Sequence, residues 1–173
     1  IGIVGERGSG KTSLILHLLE EIQPKHLPIA GVISPGIFEG ERKVAIELID
    51  LISREGRLLA RLTEEEPTGM QFGDWSFYKE TLDWGNQRLK GVKSSDLLIL
   101  DEIGPLELDL DQGLQEGLAR MREGQYKVGI VTLRPRCVES VQRHFPDIEL
   151  FYLDMLDHAV IKETVIRIVS DGI

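Results

Sequence analysis

Cysteine is almost absent: Cys137 is the only one among 173 residues, which excludes an internal disulfide and leaves too few thiols for a sulfur-bound metal site. A reducing, cytoplasmic location is the expectation. No run of apolar residues reaches the roughly eighteen needed to cross a bilayer as a helix, so no membrane partner is expected. Positive charge is also short. Twenty Lys and Arg against 29 Asp and Glu give a net charge of −9 and a pI near 5.0, a field that repels nucleic-acid backbones and anionic membranes. Nucleic acid is therefore not an expected partner, and any phosphate must be met by local cationic groups. Linkers, tails, repeats and low-complexity tracts are lacking too. The 18 Gly and 7 Pro are scattered, and no block of like charge is longer than Glu64 to Glu66. A single domain over residues 1–173, acting as a monomer, is expected. Ile1 lies inside an apolar run that ends in a glycine loop rather than a cleavage site, so the run reads as a strand continuing from something longer, not as a signal peptide.

What is present alternates between strand and helix patterns. Ile1 to Val4 reads as a short buried strand, and Lys11 to Ile22 places Leu14, Ile15, Leu18, Leu19 and Ile22 at helical spacing. Ile29 to Ile33 is a second apolar run. Val44 to Ile52 and Arg57 to Leu62, joined across Arg54-Glu55-Gly56, read as an antiparallel hairpin. Trp75 to Phe77 reads as a strand before a helix through Leu82 and Leu89, and Leu97 to Leu100 as an unbroken aliphatic strand of the kind buried on both faces. Leu110, Leu114, Leu118 and Met121 fall on one helical face; Val128 to Leu133 is the next strand, and Arg136 to Phe145 a helix. Ile148 to Leu153 and a closing helix over Asp157 to Val169 complete the pattern. The expected fold is α/β, a three-layer α/β/α sandwich with a mostly parallel sheet and an added antiparallel hairpin, whose ligands sit at the carboxyl ends of the strands.

Two motifs fall at such ends. Gly5-Glu6-Arg7-Gly8-Ser9-Gly10-Lys11-Thr12 fits G-x-x-x-x-G-K-[ST] between a predicted strand and a predicted helix. Its glycines let successive N–H groups turn inward around phosphate oxygens, and the helix that opens there, from Lys11 through Thr12 and Ser13, aims its positive end at the same anion. Lys11 should reach the β- and γ-phosphates and Thr12 should ligate Mg2+. The second motif is Leu97-Leu98-Ile99-Leu100-Asp101-Glu102. Asp101 at the strand end suits the Mg2+ shell, and Glu102, pointing elsewhere, suits a water attacking the γ-phosphorus. The Asp101-Glu102-Ile103-Gly104 string also fits the D-x-x-G of small GTPases, but no Asn-Lys-x-Asp guanine reader occurs in the chain.

Thr132, near the end of its strand, has a hydroxyl placed to sense the γ-phosphate, with Arg134 and Arg136 just beyond. One of these arginines is a candidate for stabilising transition-state charge, a role worth about 10³ to 10⁵ in turnover; a plain surface ion pair is the alternative for each, and spacing does not choose. Arg7 is a third candidate. Phe72, Trp75, Phe77, Tyr78 and Trp84 cluster in sequence, and core packing is the favoured reading over stacking on a nucleobase. His17, His26, His144 and His158 have no metal-ligand spacing.

Asp101-Glu102-Ile103-Gly104-Pro105-Leu106-Glu107-Leu108 resembles the Asp-Glu-Ile-Gly-x-Met-Glu-Leu signature of the thermophilic-type nucleoside-triphosphatases, also called cancer-related nucleoside-triphosphatases. The similarity extends to the P-loop, Ala30-Gly31-Val32-Ile33, Glu47-Leu48-Ile49-Asp50-Leu51 with Leu59-Ala60-Arg61, and Thr132. The resemblance implies a Mg2+-dependent enzyme of the additional-strand, catalytic-glutamate P-loop class that cleaves several nucleoside triphosphates to diphosphate and phosphate with weak base selectivity. It implies Gly8 to Thr12 for phosphate and Mg2+, Asp101 for Mg2+ and Glu102 as catalytic base. The chain departs from the family at Val44-Ala45, Trp75 and Asp157-His158, positions that bear on the base rather than on phosphate chemistry. Two other readings stay open: a nucleotide or small-molecule kinase in which Glu102 deprotonates an acceptor, and a partner-activated ATP- or GTP-binding switch.

Overall fold

A computed structural model describes residues 1–22, 27–63, 69–154 and 158–172; His26, Glu64 to Glu66 and Asp157 lie outside them. Ten strands form one sheet. Its parallel half runs β10 (Leu150–Tyr152), β1 (Gly2–Val4), β9 (Tyr126–Leu133), β8 (Ser95–Leu100), β2 (Ile29–Ile33). From β2 the sheet continues antiparallel through β4 (Arg42–Asp50), β5 (Gly56–Leu62), β7 (Trp75–Phe77) and β6 (Met70–Phe72), and β3 (Gly36–Glu39) pairs with β4 off this path. The strand that feeds the glycine loop and the strand that ends in Asp101 are thus not neighbours, because β9 is inserted between them.

Side chains along each parallel strand alternate between two cores, as the pleat requires. Ile3, Leu97, Ile99, Val128 and Ile130 face one side with Leu14, Ile15 and Leu18 of α1 (Lys11–Ile22) and Ile161, Val165 and Val169 of α6 (His158–Gly172). Val4, Leu98, Leu100, Val131 and Leu133 face the other, with Leu82, Trp84 and Leu89 of α2 (Lys79–Lys90) and Leu118 and Met121 of α4 (Gln115–Glu123). That is the expected α/β/α layering. Apolar residues on both faces explain why Leu97 to Leu100 carries no polar alternation.

Some elements differ from the periodicity. Leu110 does not share a helix with Leu118: α3 (Pro105–Leu108) ends before it, and α4 starts only at Gln115. The chain between takes positive φ at Asp111 and Gly113, which breaks the helix, and Leu110 is left 50% exposed. The Arg136 to Phe145 helix divides into a 3-10 turn, Pro135–Cys137, and α5 (Val138–His144). β3 and β6 are short strands, four and three residues, with largely solvent-facing residues and no apolar run to mark them. Gly31 of β2 takes φ +113, and a Cβ there would overlap the Ile99 carbonyl oxygen of β8; only glycine fits this close approach.

One polar cluster ties the hairpin to the helical layer. Asp50, buried at the end of β4, accepts hydrogen bonds from Ser53 N (3.0 Å) and Ser53 Oγ (2.6 Å) and from Arg88 Nε and Nη2 of α2 (3.0 and 2.7 Å). Burial by itself would raise this carboxyl, but the Ser53 and Arg88 hydrogen bonds outweigh it and hold it below the usual aspartate value. A depressed carboxyl stabilises the fold above its unfolded pKa and ceases to as pH falls through the lower folded value. Arg88 is partly exposed, which moderates the effect. Arg88→Ala should cost about 2 kcal/mol at pH 7, and the loss should shrink below the ordinary aspartate range. Urea denaturation at pH 7 and pH 3 checks this; an equal loss at both would contradict it.

Candidate active site

The carboxyl ends of β1, β8, β9 and β2 bring four segments together. From β1 the chain enters the glycine loop, where Gly8 and Gly10 take φ +80 and +90, values that a side chain would strain. Lys11 opens α1 and is buried; its Nζ donates to the carbonyl oxygens of Gly5 and Glu6, both at 2.8 Å. Burial lowers the Lys11 pKa against the pull of Glu102 and Asp101. Ser9 Oγ is buried without a partner among the described residues. An orphaned hydroxyl and a lysine folded onto its own loop fit a cradle built for an anion. Glu6 and Ser13 are exposed at its edges.

Asp101, 2% exposed, follows β8. Its Oδ1 accepts from Thr132 Oγ1 (2.6 Å) and its Oδ2 from Ser34 N (3.0 Å), and it is hydrogen-bonded to the Thr12 side chain. Burial nonetheless pushes the carboxyl up. A buried carboxylate beside the Thr12 hydroxyl is an all-oxygen donor set that suits Mg2+, which takes one or two protein oxygens and completes its shell with phosphate and water. Among the described residues no cluster of three His, Cys, Asp or Glu could hold a metal ion.

Glu102 adopts φ +61, unusual for a residue with a Cβ. Its N–H donates to Thr132 Oγ1 at 2.7 Å, so the fully buried Thr132 hydroxyl is held between the backbone of Glu102 and the carboxylate of Asp101. Glu102 Oε1 accepts from Arg134 Nη2 at 2.6 Å. Burial would raise the Glu102 carboxyl, yet the Arg134 hydrogen bond and the charges of Lys43, Arg134 and Lys11 bring it below the usual glutamate value.

Of the three arginines, only Arg134 reaches Glu102. Arg136 is exposed on the 3-10 turn and its side chain hydrogen-bonds the Cys137 thiol. Arg7 leaves the loop and lies over the Trp75 ring, 5.2 Å from its centroid, with Asp74 4.0 Å away. Trp75 and Trp84 are buried, as core packing requires; Phe72, Phe77 and Tyr78 are half-buried.

Three residues escape sequence reasoning. Ser34 comes from the end of β2, and a polar residue directly after an apolar strand was the available signal. Lys43 comes from β4; its ammonium sits 5.8 Å from the Trp75 centroid, and burial lowers its pKa against the pull of Glu102 and Asp101. Nothing in its flanking sequence marks it. Glu107 is buried and accepts from Gly104 N and Leu114 N, both at 3.0 Å, fixing the loop that follows Glu102.

The inserted β9, the glycine loop and the strand-end carboxylates define a P-loop nucleotide-binding domain of the additional-strand kind. A family model described as NTPase matches residues 1–166, and the chain belongs to that NTPase family. It is 31% identical over 107 residues to the nucleoside-triphosphatase THEP1 of Methanopyrus kandleri, a match covering 61% of this chain and 58% of that protein. With the nucleoside-triphosphatase THEP1 of Archaeoglobus fulgidus it shares 26% identity over 173 residues, 98% of each chain. The chain thus spans about three fifths of the first of these curated relatives and nearly all of the second. The solution structure of a human cancer-related nucleoside triphosphatase superposes with a TM-score of 0.75 at 20% identity, covering 99% of this chain and 97% of that one; the fold is shared. No described helix is long and apolar enough to cross a membrane.

Proposed function

We propose that residues 1–173 act as a single domain that hydrolyses Mg-nucleoside triphosphates to diphosphate and phosphate with weak base selectivity. The observation that carries this reading is the hydrogen-bonded line from Asp101 through Thr132 Oγ1 to the Glu102 backbone, which sets two carboxylates of different character beside the Lys11 loop. Asp101, buried and pushed up, gains most from a cation; Glu102, pushed down, stays ionised and able to accept a proton.

In this account Lys11 exchanges the Gly5 and Glu6 carbonyls for the β- and γ-phosphates, and the loop's N–H groups, with Ser9 Oγ, bind the same oxygens. Thr12 and Asp101 would hold Mg2+, which when bound neutralises charge on the phosphate oxygens. Glu102 orients a water and takes its proton. The Arg134 guanidinium, now on Glu102, moves toward charge that develops on the γ-phosphoryl group. Thr132 ties the Asp101 carboxylate to the Glu102 backbone. Base selectivity is weak in this account because every contact named is to phosphate, metal or water.

Equilibrium binding of fluorescent ATP, GTP, CTP and UTP analogues, with Mg2+ and with chelator, tests the substrate half of the proposal. Affinities within about tenfold of each other are expected, with all four weakened about 100-fold or more in Lys11→Ala. Unimpaired binding by Lys11→Ala would remove the loop from the account.

A further inference from the structure

Beyond Glu102, away from the glycine loop, lies a cavity of about 250 Å³ that Glu102 and Arg134 share with an apolar lining the hydrolysis of a triphosphate does not use. Its lining includes the aromatic Phe72, Trp75 and Phe77 of the antiparallel strands, and Ile103 and Leu106 from the segment after Glu102. Of the glycine-loop residues only Arg7 touches it. A water poised on a carboxylate needs no aromatic lining, and an apolar surface open at a reactive centre suits a molecule with a flat apolar body.

The charges at this cavity choose what else that molecule carries. Arg134 and Glu102 pair at 2.6 Å, and Glu107 is satisfied by backbone N–H groups. Arg7 and Asp74 are 4.0 Å apart with both side chains about half exposed or more, a pair of little strength. Arg136 lines the cavity, where its side chain meets the Cys137 thiol, a weak neutral acceptor, and makes no ion pair among the described residues. Arg136 thus leaves cationic capacity at an apolar opening of an otherwise negative protein, and an arginine fork is suited to a phosphate.

We propose that this cavity is a second ligand site, taking a nucleoside monophosphate with its base among the aromatic lining residues and Leu106 and its phosphate on Arg136, next to Glu102. The proposal rests on the reading that the glycine loop holds a triphosphate, since it places the second phosphate at the end of the site where the γ-phosphorus is attacked. The ligand and the attacking water then compete for the same neighbourhood of Glu102.

The test is isothermal titration of AMP, GMP, CMP and UMP into protein whose glycine loop is first filled with Mg2+ and a β,γ-imido triphosphate. At least one monophosphate should bind with 1:1 stoichiometry on top of the analogue. That binding should weaken about tenfold or more in Arg136→Ala and in Leu106→Trp, the second of which fills the cavity. Arg136 is exposed, so its variant decides the matter if Leu106→Trp does not fold. Absence of binding by all four up to ~1 mM, displacement of the analogue, or binding indifferent to Arg136→Ala would overturn the proposal. If the analogue itself fails to bind, the triphosphate reading falls, and titration into the unfilled protein still decides whether the cavity takes a monophosphate.

Discussion

Glu102→Gln should bind Mg-ATP within about twofold of the unaltered protein yet release phosphate at least about 100-fold more slowly. The substitution keeps the shape of the side chain and the backbone N–H to Thr132 Oγ1, so the loop and the Asp101 region have no cause to rearrange. It removes the charge that accepts the proton. The same reasoning sets the pH dependence. Glu102 is held below the usual glutamate value despite its burial, by Arg134 and by the charges of Lys43 and Lys11, and a base must be deprotonated to act. The acid limb of the rate profile should therefore fall below the ordinary glutamate pKa, with activity lost as pH drops through that lowered value. Steady-state phosphate release with parallel binding measurements checks both points; turnover retained within about tenfold in Glu102→Gln would remove the residue from its role.

Arg134→Ala should lower turnover by about 10³ with little change in triphosphate affinity, because the guanidinium is assigned to charge that exists only in the transition state. Two roles are separable here. If Arg134 only holds Glu102 in place, its loss costs turnover chiefly through the carboxyl, whose pKa rises once its closest cation has gone. The acid limb would then move upward and activity would recover at higher pH. If Arg134 stabilises developing charge, the loss persists across the pH range. Arg134→Lys keeps the charge but not the fork, and should recover only part of the rate.

The candidate site was legible in the sequence where its residues are neighbours in the chain. Gly5 to Thr12 and Asp101-Glu102 each hold their residues within one turn or strand end, so spacing alone brings them together. What came from elsewhere was harder to see. Ser34 and Lys43 enter through the pairing of β2 with β8 and of β4 with β2, and no local pattern announces a lysine brought from another strand within the field of Glu102 and Asp101. Arg134 and Arg136 looked equivalent because they are two positions apart, as on one face of a strand. β9 ends at Leu133 and the chain turns at Pro135, so the two guanidinium groups part, one to Glu102 and one to the cavity rim.

The fold divides in the same way. The buried parallel strands and the helices α1, α2 and α6 follow from apolar periodicity, which reports burial faithfully over long segments. Leu110 was misplaced because periodicity is blind to the left-handed residues Asp111 and Gly113 that separate α3 from α4. β3 and β6 pair with β4 and β7 at three or four positions; their strand character comes from those partners rather than from their own residues. Trp75 illustrates both lessons. Its burial was expected, but its ring also lies beneath Arg7 and Lys43, a placement set by the antiparallel extension of the sheet.

The most direct test of the central claim is hydrolysis of Mg-ATP by the unaltered chain in water enriched in 18O, with both products read by mass spectrometry. The account predicts one labelled oxygen in the released phosphate and none in the diphosphate, since water oriented by Glu102 attacks the γ-phosphorus. Label in the diphosphate, cleavage to monophosphate and pyrophosphate, or no release of phosphate at all would contradict it.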